Sequence, residues 1–197
     1  MKSNENQFLI LLRGIPGSGK THLTNALSDR LSFEIIDPDL IFPYTKNFIS
    51  FRKEGPINLR LKNLKYRYNL KRVVMLLKKG SSVIWEQPWR KILGIDTSLR
   101  NIALKFKYDK KDVWNHEIDI LIAALPFKVI FIELISDPEL AWKRCKRKHL
   151  YKSKSYFYKN FIAKTEKFNL NTKHYIQFDN SINERMLVNK IEKLLTT

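Results

Sequence analysis

Cysteine is almost missing from this chain of 197 residues. Cys145 stands alone, so no intramolecular disulfide can form, and a reducing cytoplasm is the expected compartment. Lys143, Arg144 and Lys146 around it could lower its pKa, but a passive helix residue is the simpler expectation. No apolar run approaches the roughly 20 residues of a membrane-spanning helix, so no membrane partner is expected. The first residues lead directly into an apolar strand, which argues against a signal peptide. His22, His116, His149 and His174 are scattered, and none has metal-ligand spacing with another His or Cys. Acids are scarce too: 19 Asp and Glu face 37 Lys and Arg, for a net charge of +18. The excess clusters in Arg60–Arg72 and Lys143–Lys154, which contain no acid at all. Such stretches suit polyanions or the phosphates of a nucleotide.

Against this background one short segment is dense in meaning. Gly14-Ile15-Pro16-Gly17-Ser18-Gly19-Lys20-Thr21 fits the phosphate-cradling pattern G-x-x-x-x-G-K-[ST]. It follows a strand-like run, Phe8–Leu12, and precedes a helical pattern of Leu23, Ala26, Leu27 and Leu31. Backbone N–H groups of such a turn form an anion nest at a helix N-terminus. Through His22 the segment is expected to hold ATP, with Lys20 on the β/γ-phosphates and Thr21 on Mg²⁺.

Further strands are expected at Phe33–Ile36, Ser82–Trp85, Lys128–Leu134 and His174–Phe178. Helical patterns lie between them: Pro56 to Gly80, Leu99 to Phe106, and Val113 to Leu125 with Asp112 as N-cap. Others begin at Asp137-Pro138-Glu139, cover Phe157 to Phe168, and run from Ile182 to Leu195 behind a Ser181–Glu184 capping box. Alternation of this kind predicts an α/β fold: three layers with a five-stranded parallel sheet. No repeat or linker divides the chain, so a single domain over residues 1–197 is expected, with a flexible loop at Thr45–Gly55. Ligands of such sheets bind at the carboxyl ends of the strands.

That rim collects the candidate chemistry. Asp39, nineteen positions after Lys20, can accept a proton from an attacking hydroxyl; Asp37 and Asp39 can equally cap the next helix. Glu86 can bind Mg²⁺ or the acceptor, or simply be solvated. Trp89 offers an aromatic wall for a substrate ring, or packs under a loop; Arg90 stands beside it. Arg144 and Arg147, three apart on one helical face, can stabilise a transferring phosphoryl group. They open the basic segment 143–160, where a lid would hinge.

GIPGSGKT, IIDPDLIF, VIWE and the basic Arg-x-x-Arg helix together resemble the P-loop kinase group of zeta toxins and polynucleotide kinases. The resemblance covers roughly residues 7 to 195. It implies the P-loop NTPase fold with a basic helical lid, and an ATP- and Mg²⁺-dependent kinase with an alcohol acceptor. Asp39 is then the catalytic base, Glu86 a substrate or metal contact, and Arg144 and Arg147 the lid arginines. Two acceptor classes stay open, an RNA or DNA 5′-hydroxyl, slightly favoured by the charge, and a small metabolite, nucleoside, amino sugar or nucleotide sugar. A rival of another class is a non-catalytic module that gates a nucleic-acid-binding surface with ATP. No N-K-x-D motif supports a regulatory GTPase, and neither strand ends in the Asp-Glu pair of motor ATPases.

Overall fold

A computed structural model describes residues 7–37, 56–86, 92–106, 108–147, 153–165, 175–179 and 184–196. Five strands, β1 (Phe8–Gly14), β2 (Glu34–Ile36), β3 (Val83–Glu86), β4 (Lys128–Ile135) and β5 (Tyr175–Asp179), form one sheet. Their order is β2-β3-β1-β4-β5, and every pairing is parallel. The helices are α1 (Lys20–Leu31), α2 (Pro56–Lys78), α3 (Ile92–Lys105), α4 (Lys110–Asn115) and α5 (Ile118–Ala124), then α6 (Pro138–Arg147), α7 (Lys154–Phe157) and α8 (Glu184–Thr196).

The period of two along β1 divides the core. Leu9 and Leu11 point to one face, where Trp85, Phe131 and residues of α2, α3 and α5 cover them. Ile10 and Leu12 point to the other, against Leu23 and Leu27 of α1 and Leu187, Val188 and Ile191 of α8. All seven residues of β1 are buried, as expected for a strand covered on both faces. Gln7, just ahead of β1, donates to the carbonyls of Leu77 (2.6 Å) and Ser81 (2.9 Å). That side chain closes the end of α2 beside Gly80, whose φ is 87°. The amino ends of the strands and the carboxyl end of α2 therefore lie together, and the start of α2 lies toward the opposite rim.

One charged pair crosses the sheet. Arg13 and Glu133 are register partners in β1 and β4, joined by an Nη2–Oε1 contact of 2.8 Å. Tyr175 donates its hydroxyl to Glu133, and Gln177 adds a bond of 3.1 Å. Three partners on the two neighbouring strands satisfy a carboxylate that is almost fully buried.

Some elements depart from the sequence pattern. The helix expected over Val113–Leu125 is two helices, and its cap is Asp109, which accepts from the Lys111 N–H at 2.7 Å, not Asp112. The break follows from Arg100, which donates to the carbonyls of Val113 and His116 and so takes the acceptors at the helix end. Helix α3 begins at Ile92, not Leu99. The helical face expected from Phe157 is a short α7 followed by a π-helical turn, Tyr158–Ile162. The expected loop at Thr45–Gly55 and the Ser181 cap lie outside the described residues.

Candidate active site at the P-loop

β1 ends on Gly14 and α1 starts at Lys20, so the motif forms the turn between buried strand and helix. Gly17 has φ 82° and Gly19 φ 93°, the left-handed region where a side chain is strained. Space is equally restrictive. A Cβ on Gly14 would come within 2.5 Å of Ser18 Oγ and 2.8 Å of the Leu134 carbonyl oxygen. On Gly17 it would come within 2.3 Å of the carbonyl oxygen of Ala141, in α6. The turn folds on itself, with Ser18 N–H donating to Ile15 O at 3.1 Å. The His22 N–H donates to Gly19 O at 3.1 Å, while the His22 side chain is exposed. Among the described residues no side chain caps the N-terminus of α1. A bare backbone turn opening a helix in this way fits a phosphate group. Ile15 and Pro16 are half-buried, and Ile15 packs on the cluster of Ala141, Cys145 and Phe157. Cys145 is buried beneath the turn, the passive setting its sequence context suggested over a reactive one.

Lys20 folds back along the loop, its Nζ donating to Gly14 O at 3.0 Å and Ile15 O at 3.2 Å. Beside it stands Glu86, the last residue of β3 and register partner of Leu12. Glu86 is only 7% exposed, which excludes the solvated alternative. Thr21 donates to its Oε1 at 3.1 Å, and Thr24 lies 3.2 Å from its Oε2. The Thr24 hydroxyl is also 2.8 Å from the Lys20 carbonyl, and its single proton can serve only one of them. Burial pushes the Glu86 carboxyl above the usual carboxylate range, and the negative charge of Asp37 adds to this. Lys20 and the two threonine hydroxyls pull the other way. Asp37, at the end of β2, is itself 8% exposed and so shares the buried rim.

A carboxylate and a threonine hydroxyl in contact are oxygen donors of the kind Mg²⁺ takes. Among the described residues no three His, Cys, Asp or Glu gather as metal ligands. Mg²⁺ bound here would thus take further oxygens from phosphate and water, its usual habit.

Arg144 reaches the loop from α6, donating to the Gly17 carbonyl at 3.2 Å. Lys20, Thr21, Glu86, Asp37 and Arg144 are thereby gathered at the P-loop end of the sheet. Arg147 closes α6, but its side chain lies outside the described residues, as do Asp39, Trp89 and Arg90. Thr24 was not anticipated. Its signal was its place three positions after Thr21, on the face of α1 that meets the end of β3.

Comparison with known proteins agrees with this architecture. Over nearly its whole length the chain superposes on a candidate kinase from Chloroflexus aurantiacus, with a TM-score of 0.68 and 15% identity over 98% of both chains. A gluconokinase from Sinorhizobium meliloti gives a TM-score of 0.58 and 14% identity, covering 98% of this chain and 94% of its own. A deoxyadenosine kinase from M. mycoides gives 0.57 and 19% identity, covering 95% and 98%. At these identities the likeness establishes the fold. No curated protein matches the sequence. Residues 9–114, more than half of the chain, match the AAA_33 family, described as an AAA domain. With its P-loop, parallel sheet and kinase-like architecture, the chain belongs to that family of P-loop AAA domains.

Proposed function

We propose that this protein is an ATP- and Mg²⁺-dependent kinase that phosphorylates a hydroxyl, with a slight preference for a nucleic-acid 5′-hydroxyl. The contact between Thr21 and Glu86 carries the reading, because it puts two oxygens of the kind Mg²⁺ takes beside the P-loop lysine. Mg²⁺ bound there would neutralise phosphate charge. The chain's own groups do the rest. Lys20 leaves the Gly14 and Ile15 carbonyls for the β/γ-phosphates, and Arg144, with Arg147, stabilises charge on the transferred group. Asp39 accepts the proton of the attacking hydroxyl. Asp37, Trp89 and Arg90 hold the acceptor, while the basic segment 143–160 acts as the lid of a single domain spanning residues 1–197.

A small hydroxyl compound is the second reading, supported by the shared fold of the gluconokinase and the deoxyadenosine kinase. The test offers γ-labelled ATP with 5′-hydroxyl oligonucleotides, nucleosides and sugars, and follows the label. Transfer to the oligonucleotide should be preferred, vanish in Lys20→Ala, and fall about 10²–10⁴-fold in Asp39→Asn. Nucleotide binding without transfer to any acceptor would leave only the ATP-gated binding module.

A further inference from the structure

Helix α2 has an outer face unlike an ordinary solvated one. Its inner face is fixed by Tyr66, which stacks on Trp85 with ring centroids 5.9 Å apart and bonds Ser98 Oγ at 3.0 Å. Val73 and Leu77 continue that buried line. At 100° per residue the opposite ridge consists of Leu64, Tyr68, Lys71 and Met75. Leu64 is 60% exposed, Tyr68 48% and Met75 46%. Three large apolar groups thus crown a helix where charged residues would cost nothing. Arg67 and Lys78 flank the ridge on one side and Arg72 on the other, and α2 contains no acid anywhere. The ridge extends about 16 Å along the axis, and its Leu64 end lies toward the strand ends that carry Glu86 and Asp37.

We propose that this ridge is a binding track for single-stranded nucleic acid. Bases would lie on Tyr68 and its apolar neighbours while Arg67, Lys71 and Arg72 neutralise phosphates. The inference deepens the nucleic-acid reading above and adds a surface outside the P-loop. The charge decides against a second copy of this chain, which would bring the same +18. Lys71 within the 3–4 spaced stripe, with Arg67, Arg72 and Lys78 along its sides, disfavours a partner helix, whose seam must be apolar. A strand running down the ridge would leave its end at the rim.

The test measures binding of a fluorescent 5′-hydroxyl 20-mer DNA by anisotropy, without ATP, over a series of salt concentrations. Wild type should bind, with an affinity that falls steeply with salt. Replacing Arg67, Lys71 and Arg72 together by Ala should reduce the log–log salt slope by about 2. Tyr68→Ala should weaken binding about 5- to 100-fold, and Tyr68→Phe should restore it. Unchanged melting temperatures would show that these outward positions leave the fold intact. No binding by wild type, or equal binding by all variants, overturns the proposal. So does capture of an acidic amphipathic peptide in place of the 20-mer. Binding that depends on the ridge, without label transfer from γ-labelled ATP, keeps the track and removes the nucleic-acid acceptor. Label transfer to the oligonucleotide at undiminished affinity in the variants keeps the acceptor and removes the track.

Discussion

Two glutamates sit at nearly the same height in the sheet, on opposite faces and in opposite circumstances. Glu133 on β4 meets the Arg13 guanidinium at 2.8 Å and receives two further donors from β5. Glu86 on β3 has two threonine hydroxyls and the nearby charge of Lys20, whose ammonium is bonded to Gly14 and Ile15. Burial and Asp37 raise its pKa in spite of them. Both carboxylates are 9% exposed or less, so burial does not separate them. Completeness of compensation does. A carboxylate with an ion-pair partner across the sheet ties strands together, whereas one surrounded by hydroxyls has capacity for a cation.

The largest effect is expected when Glu133 is removed. Glu133→Leu takes the carboxylate from a guanidinium that is only 2% exposed, and should cost about 3–5 kcal/mol of stability in denaturant unfolding. Adding Arg13→Met should recover most of the loss, because an apolar pair avoids the buried charge altogether. An additive or worse double variant would show that the pair does not act as a unit.

Glu86→Gln should do the reverse. It keeps shape and hydrogen-bonding capacity and removes a carboxylate that burial disfavours, so the fold should be as stable or more so at neutral pH. Phosphate transfer should nevertheless drop by about tenfold or more. The pH dependence sharpens the point. Burial raises the folded pKa of Glu86 above the ordinary carboxylate range, so the native state holds the proton where the unfolded chain releases it. Its contribution is therefore most favourable below the unfolded pKa and declines as pH rises through the raised folded value. Melting curves between pH 4 and 8 should show this decline in wild type and a shallower one in Glu86→Gln. Parallel curves would refute the assignment.

A smaller effect is expected from Asn69, on the face of the sheet that α2 covers. It is fully buried in α2, and among the described residues neither amide atom has a hydrogen-bond partner. Asn69→Leu should therefore stabilise the protein by about 1 kcal/mol or somewhat more. A loss of stability on unfolding would mean that the amide is satisfied by water.

Much of this was legible in the chain. The P-loop announced itself because glycines at left-handed positions leave a fixed spacing, and the strands because apolar runs end at turn residues. The site reads from residues 14–21 for the same reason, while Glu86 was visible only as a carboxylate at a strand end. Its burial depends on Thr21 and Thr24, brought to it by the packing of α1 on β3, a long-range contact that no local pattern encodes. The Arg13–Glu133 pair was hidden likewise, since only the parallel register of β1 and β4 makes them neighbours. The single helix expected at Val113–Leu125 failed because Arg100, in a different helix, takes the carbonyls at the break.

The proposed chemistry needs Glu86 and Thr21 to seat a metal beside the P-loop. Calorimetric titration of a non-hydrolysable ATP analogue, with and without Mg²⁺, tests it most directly in wild type and Glu86→Gln. Mg²⁺ should tighten binding to wild type, and most of this gain should disappear in the variant. Equal Mg²⁺ dependence in the two proteins, or no uptake of the analogue by wild type, would contradict it.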